Sequence, residues 1–277
     1  MKRSFHALAT GVALTLLGAT AAWAQSAPQT LPYDHIHVNV PDTAAAATWY
    51  EQHFGGRRIT EAPDRIMFGA VRLMFLRTRE VAPTSQGTAI DHIGFSVTDV
   101  DAKLKELAAA GAKVDGPARE VPNLFKLGFA TDPWGTRLEI VQDPELLGLH
   151  HLHLRAPDPE VVFSWLLDKF GGERTKMKGQ LDGIRYAGVP GFSTVWILVQ
   201  RGDSVPSEGH AIDHIGWRSM GPIAETAAML SGKGVTLTSQ PSPLRLPNGP
   251  SINFFYVAGP AGAKIELVER PGLKPGE

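Results

Sequence analysis

The chain has 277 residues, 43% of them hydrophobic, with 27 basic and 28 acidic side chains and no cysteine. A formal charge of −1 offers no basic footprint for nucleic acid and no polybasic patch for a membrane surface. Without cysteine there are no disulfides and no thiolate metal ligands, so stability has to come from burial.

The first residues read as an address. Lys2 and Arg3 precede an apolar run from Ala7 to Ala22, and Ala22-Trp23-Ala24 supplies the small-x-small pattern of signal peptidase just before Gln25. The run falls short of the roughly 20 apolar residues that span a bilayer. Residues 1–24 are therefore expected to be a cleaved signal peptide, and the mature protein periplasmic or secreted. Its loss removes two basic residues and no acid, moving the charge from −1 to −3.

The mature chain opens with Asp34-His35-Ile36-His37-Val38-Asn39-Val40, a strand by alternation and β-branched content, and a helix follows. Asp91-His92-Ile93-Gly94-Phe95-Ser96-Val97 repeats the strand. Asp99 or Asp101 caps the next helix, whose apolar stripe is Leu104, Leu107 and Ala108 and whose stop is Gly111. In the third such unit Asp158 is a good N-cap, Pro159 suits the first helical turn and Gly171 the C-terminal cap. Strand-like runs follow each helix, clearest at Arg65 to Leu76, Phe125 to Thr131, Thr194 to Gln200 and Ser251 to Val257. Pro/Ser/Gly-rich linkers lie near Val81–Gly87 and Ser204–Gly209, with a short joint at Asp143–Gly148.

These units are copies. Ala89-Ile90-Asp91-His92-Ile93-Gly94 returns letter for letter as Ala211-Ile212-Asp213-His214-Ile215-Gly216, and Trp49…Phe54-Gly55-Gly56 returns as Trp165…Phe170-Gly171-Gly172 at an offset of 116. The fold expected is α+β: four βαβββ modules forming two tandem half-barrel domains, 32–147 and 148–270. Pairing the first module with the second and the third with the fourth is the simplest arrangement. Pairing one with four and two with three would set His35 beside His214 and Glu266.

A histidine occupies the same place in the first strand of all four modules: His35, His92, His151 and His214. For the first three an aspartate stands seven residues on (Asp42, Asp99, Asp158), whereas the fourth has Gly221. Glu139 and Glu266 sit in apolar strands, and a carboxylate turned inward there needs a cation or a donor. Two histidines and one glutamate in a shared cup make a facial triad with open metal positions. His37 and His153, two residues beyond the first and third of these histidines, face the same way by strand alternation. They are candidate acid–base residues or substitute ligands.

The motifs Asp-His-Ile-Gly-Phe-Ser-Val-Thr-Asp (91–99), Asp-Pro-Trp-Gly-Thr-Arg-Leu-Glu-Ile-Val (132–141) and Gly-Pro-Ala-Gly-Ala-Lys-Ile-Glu-Leu-Val (259–268) resemble the vicinal oxygen chelate superfamily. That family includes glyoxalase I, bleomycin and fosfomycin resistance proteins, and type I extradiol dioxygenases. The resemblance implies a divalent metal held by His35, His92 and Glu139 in one half and by His151, His214 and Glu266 in the other. It further implies a role for Tyr256, ten residues before Glu266, where extradiol enzymes carry an active-site tyrosine, while the count of three protein ligands slightly favours Fe(II) over Mn, Zn or Ni. The odd-module acid of four-ligand glyoxalases is missing, since Met67 to Leu76 and Phe192 to Val199 contain no carboxylate. The acid–base histidine of ring-cleaving enzymes has no counterpart around Trp196. The resulting expectation is a metal-dependent dioxygenase or lyase/isomerase acting on a small oxygen-rich molecule, with a metal-free sequestering protein as the alternative. Neither nucleic acid nor, after signal cleavage, a membrane is an expected partner.

Overall fold

The computed structural model describes Met1 and residues 30–59, 62–186 and 194–272. The expected signal peptide lies outside these residues apart from Met1, and no described helix is long and apolar enough to cross a membrane.

The four modules follow in order. The first comprises β1 (Tyr33–Val40), α1 (Thr43–Phe54), β2 (Arg57–Arg58), β3 (Arg65–Phe68) and β4 (Val71–Arg77). The second has β5 (Ile90–Ser96), α2 (Val100–Ala109), β6 (Lys113–Val114), β7 (Arg119–Glu120), β8 (Lys126–Thr131) and β9 (Arg137–Val141). The third is β10 (Gly148–Ala156), α3 (Pro159–Phe170), β11 (Glu173–Met177), β12 (Leu181–Arg185) and β13 (Trp196–Arg201). The fourth is β14 (Ile212–Arg218), α4 (Ile223–Gly232), β15 (Ser242–Arg245), β16 (Ser251–Ala258) and β17 (Lys264–Glu269). The apparent single strand from Arg65 to Leu76 is a hairpin, broken at Gly69, whose φ of 60° suits a tight turn.

Helix starts follow the aspartate pattern. Asp42, Asp99 and Asp158 each accept hydrogen bonds from backbone amides of the first turn. Where Gly221 replaces the aspartate, Pro222 is the N-cap of α4 and offers no side-chain acceptor, and Ile223 N donates instead to Glu269 Oε2 at 3.1 Å.

Two curled mixed sheets result. One runs β15-β16-β17-β14-β1-β4-β3-β2 and the other β11-β12-β13-β10-β5-β9-β8-β6, with β7 added on β8. The simplest module pairing is thus corrected: the first module shares its sheet with the fourth, and the second with the third. The seams are the antiparallel ladders β1–β14 and β5–β10.

The two modules of each linear half nevertheless meet through their helices. Trp49 Nε1 donates to Ala110 O at 3.0 Å, Tyr50 Oη to Asp132 Oδ2 at 2.7 Å, and Phe54 stacks on Phe95. In the other half Phe170 stacks on Trp217 and Lys169 Nζ donates to Lys233 O. One continuous buried cluster, from Leu31 to Leu267, therefore lies between the sheets. The two linkers meet, Val205 N donating to Gly87 O at 3.2 Å, and each also holds the segment that follows the other, Ala211 N donating to Pro83 O and Ala89 N to Val205 O, both at 2.8 Å. Chain order could not distinguish the pairings because each module makes one set of contacts through its helix and another through its first strand.

Candidate metal centres

Each seam gathers a polar cluster inside its sheet. In the first sheet, Tyr256, Glu266, Gly216, His35 and Arg72 stand opposite one another in a single row across β16, β17, β14, β1 and β4. His214, His37 and Met74 form the adjacent row. Register partners share a face, so two imidazoles of β1, one of β14 and one carboxylate of β17 converge. The second sheet repeats the plan, with Phe129, Glu139, Gly94, His151 and Trp196 in one row and His92, His153 and Leu198 in the other.

Two groups follow: His35, His37, His214 and Glu266, and His92, Glu139, His151 and His153. The donor atoms of each lie within 4.8 Å of one another. All six residues expected as ligands are present, but regrouped: His35 joins His214 and Glu266, while His92 and Glu139 join His151. His37 and His153 enter the groups as third imidazoles.

Glu266 Oε2 lies 2.9 Å from His214 Nε2, 3.5 Å from His35 Nε2 and 3.9 Å from His37 Nδ1. Glu139 Oε2 lies 2.9 Å from His92 Nε2, 3.1 Å from His151 Nε2 and 3.9 Å from His153 Nδ1. His37 Nδ1 also approaches His214 Nε2 closely, and His153 Nδ1 stands 3.0 Å from His92 Nε2. Both glutamates are buried. His37 and His153 are the most open members, with 11% and 17% of their side chains exposed.

The residue before each of the four repeated histidines sits in a β-bulge. Register shifts leave Asp34, Asp91, His150 and Asp213 without a partner across the seam ladders. A bulge re-aims its extra side chain, which lets a residue reach the imidazole of its own neighbour. Asp34 Oδ2 lies 2.8 Å from His35 Nδ1, Asp91 Oδ1 2.7 Å from His92 Nδ1, and Asp213 Oδ1 2.5 Å from His214 Nδ1. A carboxylate on Nδ1 fixes the tautomer in which Nε2 presents its lone pair to the cluster. Asp34 is held in turn by Arg270, which donates to both carboxylate oxygens at 3.1 Å or less.

Lone pairs thus face a carboxylate and one another in a buried space, an arrangement that needs positive charge between them. His35 Nε2 is buried with no hydrogen-bond partner among the described residues. The donor set fits a divalent cation, with imidazole and carboxylate both ordinary ligands. The electrostatics agree. Although burial opposes ionisation, the surrounding imidazoles hold the Glu139 and Glu266 carboxyls well below the usual range. Burial pushes His37 and His153 down, and His214 and His92 beside them push in the same direction.

Tyr256 stands opposite Glu266, and its ring lies edge-on to His214 at 5.1 Å between centroids. Burial, then the Glu266 charge, raises its phenol, so it stays protonated at neutral pH. The equivalent place beside Glu139 and His92 belongs to Phe129. A cavity of about 460 Å³ is lined by Tyr256, Lys264 and Glu208, and another of about 360 Å³ reaches His153 beside Phe163, Leu181 and Leu198.

His150, Arg270, Phe129 and the two glycines facing His151 and His35 were not singled out from sequence. The signal for His150 was available: Asp-His recurs at 34–35, 91–92 and 213–214, and becomes His-His at 150–151.

Residues 33–140 match the family described as the Glyoxalase/Bleomycin resistance protein/Dioxygenase superfamily, which bears out the resemblance read from the motifs. Among curated proteins none matches the chain. Glyoxalase I from Zea mays has the same fold at a TM-score of 0.65 and 20% identity, covering 87% of this chain and 92% of that one. A protein of Bacillus subtilis subsp. subtilis str. 168, provisionally assigned as a dioxygenase, gives a TM-score of 0.56 at 18% identity, covering 88% and 86%.

Proposed function

We propose that the protein, whose residues 33–140 match the glyoxalase/bleomycin resistance/dioxygenase superfamily and which gathers two groups of three histidines and one glutamate, is a divalent-metal-dependent enzyme for a small molecule bearing two adjacent oxygens. The observation that carries this reading is the convergence, twice in one chain, of three imidazoles and a carboxylate on one point. In the first sheet His35, His214 and Glu266 would hold the ion, and in the second His92, His151 and Glu139. A bound ion would supply Lewis acidity toward the two substrate oxygens.

The residues around it supply proton handling. His37 and His153 are the most open of the imidazoles in their groups, and both are kept neutral near pH 7, so each suits a general base. The protonated Tyr256 phenol lies beside His214 and suits a hydrogen-bond donor to bound substrate. Phe129 offers no such donor, which makes the first sheet the better seat for the reaction. Dioxygenase and lyase/isomerase chemistry both use this set. The nitrogen-rich donors suit Fe(II), Zn or Ni better than Mn. The amino-terminal pattern supports export to the periplasm or beyond.

Metal analysis of the purified mature protein, followed by turnover assays, tests the reading. Two ions per chain are expected, with either oxygen uptake on catechols or conversion of a methylglyoxal–thiol adduct. Sequestration without metal would be indicated by tight small-molecule binding with no ion after metal loading. Full metal loss in His37→Gln would make His37 a ligand rather than a base.

A further inference from the structure

The four bulge positions behind the repeated histidines are equivalent by register, yet they do not carry the same chemistry. Three hold aspartates in direct contact with Nδ1 of the neighbouring histidine. The fourth holds His150, fully buried, with its Nδ1 2.8 Å from Nδ1 of His151. Two imidazole nitrogens at that distance share one proton, and the far side of His150 settles where it sits. His150 Nε2 lies 3.3 Å from Asp143 Oδ2 and donates to it. His150 Nδ1 must then be the acceptor and His151 Nδ1 the donor. Asp143 is itself held by Lys178 Nζ at 2.9 Å. The carboxylate behind His151 is therefore one imidazole further away than the carboxylate behind each of the other three.

The difference falls on one group only. In the first sheet both bulge-backed histidines, His35 and His214, rest on aspartate. In the second, His92 rests on Asp91 but His151 rests on a neutral ring. A carboxylate accepting from Nδ1 makes Nε2 a stronger donor and adds negative charge near the ion, whereas a neutral acceptor does neither. Arg270 offsets part of the Asp34 charge but also locks its oxygens toward His35.

We infer that the two centres hold a divalent ion with unequal affinity, tightly at His35, His214 and Glu266 and loosely at His92, Glu139 and His151, with His150 as the positioning residue that sets the difference. The inference rests on the metal-dependent reading above. It makes the second centre the one that empties first.

Zinc titrated into the metal-free protein in competition with a chromophoric chelator tests this. Wild type should bind two ions in separate steps, and Glu139→Gln and Glu266→Gln should each bind one. The Glu266→Gln protein, which retains only the second centre, should bind about 10-fold or more weakly than Glu139→Gln, as expected for altered support behind a ligand. In the Glu266→Gln background, Asp143→Asn should weaken binding further. The charge-conserving exchange His150→Asp with Asp143→Asn should tighten it about 10-fold. Equal dissociation constants in the two single variants overturn the inference, as does an exchange that folds but leaves zinc affinity unchanged. Should the exchange not fold, the comparison of single variants decides alone. Zinc at both centres with equal affinity sinks this inference and spares the functional reading. Zinc at neither sinks both.

Discussion

Gly216 lies directly across the β1–β14 ladder from His35, and the imidazole fills the space that a side chain at 216 would need. A Cβ there would stand 2.0 Å from His35 Cε1, and one on Gly94 would stand 2.1 Å from His151 Cε1. Neither glycine is needed for a turn. Each is bare so that a ring from the neighbouring strand can lie between a histidine and a glutamate. Gly216→Ala should displace His35 and lower the metal content by one ion, leaving the second centre loaded. Gly94→Ala should do the reverse. Overpacking should cost about 1–3 kcal/mol of stability in each case. Elemental analysis with a thermal melt checks this, and full metal content in both variants would mean that the rings are not placed by these gaps.

Tyr256 and Phe129 occupy matching positions beside the two glutamates, so one hydroxyl distinguishes the sheets where substrate would bind. Tyr256→Phe should keep both ions and lower kcat about 100-fold, the lower range for a lost proton donor. Phe129→Leu should leave kcat near wild type if the first sheet carries the reaction. Steady-state kinetics with metal content measured on the same samples separates the two. Activity that follows Phe129 instead would move the reaction to the second sheet.

Arg270 and Asp34, 236 residues apart in the chain, form a buried bidentate pair that ties the end of β17 to the start of β1. Removing one partner strands a charge in the interior. Arg270→Met should therefore destabilise the fold by about 3–5 kcal/mol. Adding Asp34→Asn should recover part of that loss, although His35 would still lack its carboxylate. Urea unfolding of both variants checks this, and a single variant as stable as wild type would show that Asp34 finds another cation, such as Arg72 at 3.5 Å.

The histidines, glutamates and module boundaries were legible because strand alternation and repeat register act over a few residues. Asp158 read as a helix cap and caps α3, and of the two candidates Asp99 and Asp101 the structure uses Asp99. The partnership of His35 with His214 was not legible, because a choice between two ladders separated by more than a hundred residues leaves no local trace. The bulges were hidden for a related reason. Asp34 reads as the outward neighbour of an inward histidine, and only the slipped register turns it back toward Nδ1. The third imidazole of each group followed from alternation alone, which placed His37 and His153 on the ligand face.

Acid should dismantle the metal-free fold in a defined window. Burial, reinforced by His151, holds His150 down to about 4, and burial also holds His151 to about 4. His37 and His153 are lowered as well, whereas His92 and His214 are raised because their carboxylate partners outweigh burial. A lowered histidine contributes stability that is fully present above its unfolded value near 6.5 and is lost as pH falls through the folded value. A raised histidine works the other way, contributing below 6.5 and losing that contribution as pH climbs through its folded value. The four lowered histidines outnumber the opposing groups, which are His92, His214 and Asp132, the last raised by burial to about 6, so a loss is expected on acidification between pH 6.5 and 4. His150 alone accounts for on the order of 3 kcal/mol. Urea unfolding with a chelator present should show the midpoint falling across that interval, and His150→Asn should flatten the fall. Bound metal should leave over the same range, since protons compete for the same lone pairs. A metal-free protein as stable at pH 4.5 as at pH 7 would mean that the buried imidazoles accept protons without strain, and that the lone pairs were never crowded in the way the geometry implies.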